Sequence, residues 1–149
     1  MVREIEKSDL EGILELYLDL HEKKIPEDNN HLQSIWEEII SNQNYHIIVN
    51  EIEGKIVASC TCIIVPNLTH NVRKYALIEN VVTHHEYRNK GYATECLNFA
   101  KALAEKEDCY KMMLMTGSKE ESTLKFYQNA GYSSGGKTGF VQWLNEDPL

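Results

Sequence analysis

The spacing of apolar and polar residues along the chain predicts helices and strands in a mixed order. A short strand over residues 1–6 precedes a helix whose apolar stripe runs from Leu10 to Leu20. Ser8 and Glu11 have the Ser-x-x-Glu spacing of a capping box, which predicts that this first helix begins there. The first element of the chain is therefore expected to be a strand, and the second a helix.

A second helix and a β-hairpin are predicted next. Asn29 or Asn30 can cap a helix whose apolar stripe covers residues 32–39. Two runs rich in β-branched residues then flank Glu53 and Gly54, a tight-turn pair typical of a hairpin. The two predicted hairpin strands are residues 45–52 and 55–65.

A strand, a helix and another strand follow in the second half of the chain. Residues 75–83 form an apolar, β-branched run, and apolar residues at helical spacing indicate a helix from about Gly91 to Lys106. Residues 111–116 form a further short strand. This order implies that the two strands pair in parallel through a right-handed crossover.

The last predicted elements are a helix and two closing strands. The helix has an apolar stripe that includes Phe126 and Tyr127, and it ends at Gly131. Tyr132 and residues 140–144 are expected to supply the closing strands. The whole pattern indicates a mixed sheet with helices on its faces, an α/β or α+β layered domain.

Composition and charge limit the function. The 149 residues, 42% of them hydrophobic, are expected to form a single domain over residues 1–149. A net charge of −8 argues against binding to nucleic acid or anionic membranes. No apolar run approaches the roughly 20 residues that cross a bilayer, so we expect a cytoplasmic protein. The cysteines are expected to be reduced and mostly buried: Cys60, Cys62, Cys96 and Cys109.

The turn from Arg88 to Ala93 has the chemistry of an anion-binding site. Gly91 lets the backbone approach a ligand closely, and the first N–H groups of the helix that follows lack intrahelical partners. Arg88 and Lys90 add positive charge at the same place. This combination predicts a site for the diphosphate of a phosphorylated cofactor.

Two motifs in order resemble the GNAT superfamily of acyl-CoA-dependent N-acetyltransferases. Residues 78–93 contain the Val-rich strand and the Arg-x-x-Gly-x-Ala turn, and residues 124–132 are similar to the family's Phe-Tyr-x-x-x-Gly-Phe helix end. The resemblance implies a GNAT-like mixed central sheet of about six to seven strands, with about four helices packed on both faces. It also implies acetyl-CoA as co-substrate.

The resemblance also implies which residues bind the cofactor. The backbone of Val81, Val82 and Thr83 would pair with the pantetheine arm as an added strand does. A bulge opens this strand in the family, but no Gly or Pro indicates its position here. Ser122 stands where the family often has a cofactor-contacting Asn. The residues implied for the pyrophosphate are Arg88, Asn89, Lys90, Gly91, Tyr92, Ala93 and Thr94.

Two side chains are the catalytic candidates. Glu79, on the strand beside the cofactor arm, would act as general base through a water molecule, and the alternative is a strand residue facing solvent. Tyr127 matches the family's proton donor to the CoA thiolate, and the alternative is a core aromatic. No metal is expected, because His84 and His85 would point to opposite sides of an extended segment.

Acetyl transfer to a primary amine of a small molecule, by direct attack in a ternary complex, is the leading interpretation. The strand from Glu79 to Val82 is similar to that of glucosamine-phosphate acetyltransferases, but relatives with other acceptors share the scaffold. A non-catalytic acyl-CoA-binding module and a protein or peptide N-acetyltransferase are the alternatives. Whether residues 140–144 pair between protomers of a homodimer stays open.

Overall fold

The structure, a computed structural model, describes residues 1–145, whose secondary structure is a sheet with helices and short turns. Single 3-10 turns cover Lys7–Asp9 and His85–Tyr87. Within residues 1–145, no helix has the length and apolar character that crossing a membrane requires. The strands are β1 (Val2–Glu4), β2 (Tyr45–Ile52), β3 (Lys55–Val65), β4 (Tyr75–Thr83) and β5 (Met112–Met113). The helices are α1 (Leu10–Tyr17), α2 (Asn30–Ser41), α3 (Thr69–Val72), α4 (Tyr92–Lys106) and α5 (Glu121–Asn129).

The five strands form one mixed sheet in the order β1-β2-β3-β4-β5. The first four strands pair antiparallel with their neighbours, and the Glu53 and Gly54 turn joins β2 to β3 at the predicted residues. The strand β5 pairs in parallel with β4, with Met112 opposite Ala76. The predicted hairpin and the predicted parallel pairing across α4 are therefore confirmed.

Helices cover both faces of this sheet. One face packs against α1 and α2 around a buried cluster, and α4 packs on the opposite face through a stripe of small residues. Asn50, which is buried on the α4 face, donates from Nδ2 to a Glu95 carboxylate oxygen at 2.7 Å. The buried cluster under α1 and α2 contains Ile13, Leu16, Trp36, Ile47, Val49, Ile56 and Val82. The predicted α+β layering is thus confirmed.

The first helix begins differently from the prediction. The Ser8 and Glu11 capping box is wrong, because the box instead joins Glu6 and Asp9 at a preceding 3-10 turn, where Asp9 accepts the Glu6 N–H at 2.7 Å. Arg3 donates to both carboxylate oxygens of Asp9, at 2.7 and 3.1 Å, and this contact lowers the pKa of Asp9. The second helix starts as predicted, since the Asn29 side chain accepts the Leu32 N–H at 3.0 Å.

Fewer and shorter strands are present than predicted. Within residues 1–145 the sheet has five strands rather than six to seven, because Tyr132 and residues 140–144 form none. The strand predicted over 111–116 is present but is shorter, as β5. The exposed apolar residues Phe140 and Leu144 have strand-forming composition. A strand also needs a hydrogen-bonded partner, however, which local composition does not provide.

The chain divides into two compact units, Met1–Leu114 and Met115–Leu149. The single domain expected over residues 1–149 stays a prediction. In the second unit, α5 ends as predicted at Gly131, which has φ of +100°. The Gly131 and Tyr132 N–H groups donate to the carbonyls of Gln128 and Tyr127, both at 3.0 Å, which is the Schellman arrangement.

An extra residue in β4 produces a β-bulge whose position was not readable from the sequence. Thr61 of β3 lies opposite Glu79, and Ser59 lies opposite Val82, so β4 uses three steps where β3 uses two. Asn80 accommodates the additional residue with φ of +51°. Glu79 and Val82, which would face opposite sides of a regular strand, therefore share the α1 and α2 face.

Replacing Asn80 tests whether the left-handed backbone at the bulge matters for stability. We expect Asn80→Gly to keep the free energy of unfolding close to that of the wild type. The free energy of unfolding of Asn80→Val should be about 1–2 kcal/mol lower, since a β-branched residue disfavours this conformation. Urea denaturation of both variants measures the difference. Both variants lack the Asn80 side chain, so equal stabilities would contradict a strained backbone at this position.

Candidate active site

The outer edge of β4 is open beside the bulge. β5 pairs only with Ala76 and Leu77, and in the described part of the chain no strand pairs with this edge from Ile78 to Thr83. The N–H and C=O groups of Val81–Thr83 that do not pair with β3 therefore face an unpaired edge. Such an edge can take up an extended, amide-containing ligand by strand addition.

The predicted anion-binding turn lies at the start of α4. Gly91 is the residue before the helix and has φ of +84°, and Asn89 has φ of +63°. Among residues 1–145 no side chain caps this helix, and no atom lies within 4 Å of the position that a Cβ on Gly91 would occupy. The start of α4 is therefore uncapped, and there is room for a ligand beside Gly91, as an anion site requires.

Positive charge gathers around the ring of Tyr87, next to this turn. The Lys90 ammonium lies 5.5 Å from the ring centroid, and the Lys55 ammonium lies 5.7 Å from it. Arg88 and Lys90 are exposed, as a ligand-binding role requires. Sequence reasoning missed Lys55, which is distant along the chain. The sequence carried no signal for it, because it is the antiparallel register, with Ala58 opposite Thr83, that brings the start of β3 to the end of β4.

Glu79 lies among polar side chains on the α1 and α2 face. It is exposed and sits opposite Thr61, and its charge adds to the burial that raises the pKa of Tyr45. Burial raises the pKa of Tyr17 to about 12, while the Thr61 and Asn80 side chains beside its hydroxyl oppose that rise. Both phenols thus stay protonated at neutral pH. This side of the bulge offers the Glu79 carboxylate, the Asn80 amide and the two phenols to a polar ligand.

Tyr127 belongs to the second unit. It lies in α5, is half-buried, and contacts the rings of Phe126 and Tyr132 edge to face, with centroids 5.1 and 6.3 Å away. Ser122, at the position where the family often has Asn, is exposed in the first turn of the same helix. The structure therefore brings Glu79 and the predicted cofactor residues together in the first unit, whereas Tyr127 lies in the other.

The cysteines are all free, as predicted, and none forms a disulfide. Cys60, Cys62 and Cys96 are buried, and Cys109 is half-buried. Burial raises the pKa of Cys62 and of Cys96 to about 12 and also raises the pKa of Cys60. These thiols are therefore protonated at neutral pH and are poor nucleophiles toward a thioester.

The predicted arrangement of His84 and His85 is wrong. Their rings stack on the same side with centroids 4.4 Å apart. The chain does not stay extended there, because the 3-10 turn at His85–Tyr87 begins directly after β4. The His85 ring places Nδ1 3.0 Å from an Asp19 carboxylate oxygen. The expectation of no metal depended on opposed side chains, and that premise does not hold.

Comparison with known proteins agrees with this geometry. Residues 10–132 match the acetyltransferase (GNAT) family. A protein from Agrobacterium tumefaciens str. C58 described as an acetyltransferase is 35% identical, with a TM-score of 0.90 over 96% of this chain and 99% of that one. Glucosamine-6-phosphate N-acetyltransferase from Arabidopsis thaliana is 26% identical, with a TM-score of 0.86 over 97% and 98% of the two chains.

A curated relative matches over a shorter stretch. Glucosamine 6-phosphate N-acetyltransferase of Trypanosoma brucei brucei is 30% identical over 79 residues, which are 53% of this chain and 52% of that protein. The match thus spans about half the length of this relative. The family match is much longer and includes both β4 and the turn before α4. The chain therefore belongs to the GNAT family of acetyltransferases.

Proposed function

We propose that this acetyltransferase moves the acetyl group of acetyl-CoA to the primary amine of a small molecule, by direct attack in a ternary complex. The observation that carries the proposal is the open edge of β4 from Ile78 to Thr83, which leads into the Gly91 turn. An unpaired edge and an uncapped helix start suit the two halves of coenzyme A. The amides of pantetheine match the unpaired strand edge, and the diphosphate matches the uncapped helix start.

Coenzyme A would bind along both features. The free backbone groups of Val81, Val82 and Thr83 would pair with the pantetheine amides as a strand does. The amides of residues 88–94 would hold the pyrophosphate, with the exposed charges of Arg88 and Lys90 beside it. Lys55 joins this set because it lies against the same Tyr87 ring as Lys90.

The reaction needs a base because a primary amine is mostly protonated. An amine with a pKa of about 10.4 is only about 0.04% neutral at pH 7. Glu79 would take the ammonium proton through a water molecule, and the neutral nitrogen would then form a bond to the thioester carbon. The bulge places Glu79 on the same face as Val82. The acceptor amine would therefore reach the thioester from this face of β4.

Two further groups complete the proposed reaction. The Val82 N–H would stabilise the tetrahedral oxyanion. As the intermediate collapses, the C–S bond breaks and Tyr127 would protonate the departing CoA thiolate, while the acetylated amine loses its remaining proton. The phenolate would then regain a proton from solvent. The net products are the N-acetylated acceptor and free coenzyme A.

An amino sugar is the acceptor class that the site favours. Tyr17, Tyr45 and Asn80 near Glu79 can hydrogen-bond the hydroxyls of such a ligand, and both phenols remain donors at neutral pH. Two similar proteins, from Arabidopsis thaliana and Trypanosoma brucei brucei, are glucosamine-6-phosphate N-acetyltransferases. Glucosamine 6-phosphate is therefore the first acceptor to test.

Measuring turnover with a panel of acceptors tests both the proposed reaction and the proposed class of acceptor. Release of free thiol from acetyl-CoA would be followed with amino sugars, amino-sugar phosphates, polyamines, aminoglycosides and peptides. We expect the highest kcat/KM on an amino sugar or its phosphate. Acetyl-CoA binding without thiol release on every acceptor would favour a non-catalytic module, and preferred turnover of peptides would favour a protein acetyltransferase.

Arg88→Ala should weaken cofactor binding. We expect the Kd for coenzyme A to rise by about tenfold to 100-fold, since a hydrogen bond from a charged group contributes roughly 1.5–3 kcal/mol. Calorimetry with a pantetheine thioester that lacks the diphosphate should show no such loss. Lys101→Ala is the matched control, because it deletes an exposed positive charge in the middle of α4. An equal loss of affinity for coenzyme A and for the pantetheine thioester would contradict a diphosphate contact by Arg88.

Glu79→Gln should lower kcat/KM by about 100-fold or more, because an amide cannot accept the proton. The remaining rate should rise with pH as the neutral fraction of the amine grows. Stopped assays from pH 6 to 9 measure this profile. Glu38→Gln, an exposed carboxylate on α2, controls for charge and should leave the profile unchanged. A wild-type rate in Glu79→Gln would exclude Glu79 as the base.

Tyr127→Phe should reduce kcat by about tenfold or more while the Kd for acetyl-CoA stays within twofold of the wild type. An acetyl thioester of a more acidic thiol should restore much of the rate, because its leaving group needs no proton. Tyr132→Phe is the matched control, since it keeps the ring beside Tyr127 and removes only a hydroxyl. Equal rates for Tyr127→Phe and the wild type would remove Tyr127 as the acid.

A further inference from the structure

One carboxylate and two imidazoles form a cluster at the end of β4 that has no part in the proposed acetyl transfer. Asp19, His84 and His85 each offer one ligand atom, and these three atoms all lie within 4.8 Å of one another. His85 Nδ1 is 3.0 Å from one Asp19 oxygen and 3.2 Å from the other. The His84 and His85 rings stack at 4.4 Å.

Backbone hydrogen bonds fix the two segments that carry these side chains. The His84 N–H donates to the Val57 carbonyl at 2.8 Å, which ties the residue to β3. The Asp19 N–H donates to the Leu16 carbonyl at 3.0 Å, in the turn after α1, and its side chain is only 19% exposed. The ligand atoms thus come from two elements that are fixed separately, which lowers the entropy lost when a ligand orders them.

We propose that Asp19, His84 and His85 bind one divalent transition-metal ion. Two imidazoles and a carboxylate suit Zn²⁺, Co²⁺, Ni²⁺ and Cu²⁺ rather than Ca²⁺ or Mg²⁺, which prefer oxygen ligands throughout. Zn²⁺ binds such atoms at about 2.0–2.2 Å, so its ligand atoms lie up to roughly 4 Å apart. A small inward movement of three partly exposed side chains is sufficient.

Metal binding would change the hydrogen bonds of the cluster. The Glu86 N–H occupies the lone pair of His84 Nδ1 at 3.1 Å, so binding at that nitrogen would replace this hydrogen bond. In the proposed site the ion replaces the proton between His85 Nδ1 and Asp19, and water fills the remaining positions. The ion would join the turn after α1 to the end of β4, two segments of the same unit.

Cobalt and zinc titrations of the metal-free protein test the site. We expect one Co²⁺ per chain with the visible bands of nitrogen and oxygen ligation, and a Tm that rises with Zn²⁺. His85→Ala and Asp19→Asn should each weaken Zn²⁺ binding at least tenfold by calorimetry and remove the rise in Tm. His31→Ala, an exposed imidazole on α2, should behave as the wild type.

Other outcomes would overturn the proposal. A sulfur-to-cobalt charge-transfer band that disappears in Cys109→Ser would assign the binding to the half-buried thiol instead. Binding that does not saturate at one ion per chain would indicate only weak surface association. Wild-type affinity in both His85→Ala and Asp19→Asn would exclude the cluster. Tm values of the variants in chelator, compared with the wild type, establish that each is folded.

Discussion

The extra residue in β4 is the constraint on which the candidate site depends. Asn80, in a left-handed conformation, inserts one step into the strand, so that Glu79 and Val82 come to share a face. A bulge also bends its strand, and β4 keeps its parallel partner only at Ala76 and Leu77. The bulge therefore places the carboxylate beside an open backbone edge.

Local charge rather than net charge decides what the turn before α4 can bind. The chain carries a net charge of −8, yet Lys55, Arg88 and Lys90 lie near an uncapped helix start. Salt screens charges separated by more than about 8 Å at physiological ionic strength, so distant carboxylates contribute little at this turn. Glu95, in the first turn of α4, accepts a hydrogen bond from Asn50 on the sheet with its carboxylate. An acidic protein can thus present a cationic site.

Features encoded by neighbouring residues were predictable. The hairpin turn at Glu53 and Gly54, the Asn29 cap and the end of α5 at Gly131 all lie where the sequence indicated, because each depends on the conformational preference of one or two residues. The turn at Gly91 belongs to this group as well. The family motifs made the cofactor residues predictable for the same reason, since they are contiguous in the chain.

Long-range pairing decided what the sequence left open. The bulge position depends on how β3 and β4 align, and the approach of Lys55 to the Tyr87 ring depends on the same register. Asp19 meets His85 only because α1 packs on the sheet, and residues 140–144 form no strand despite their composition. By itself the sequence determined α1, α2, α4 and α5, the hairpin turn and the binding motif. Only the tertiary structure decided which distant side chains meet, because that depends on strand register and helix packing rather than on local preference.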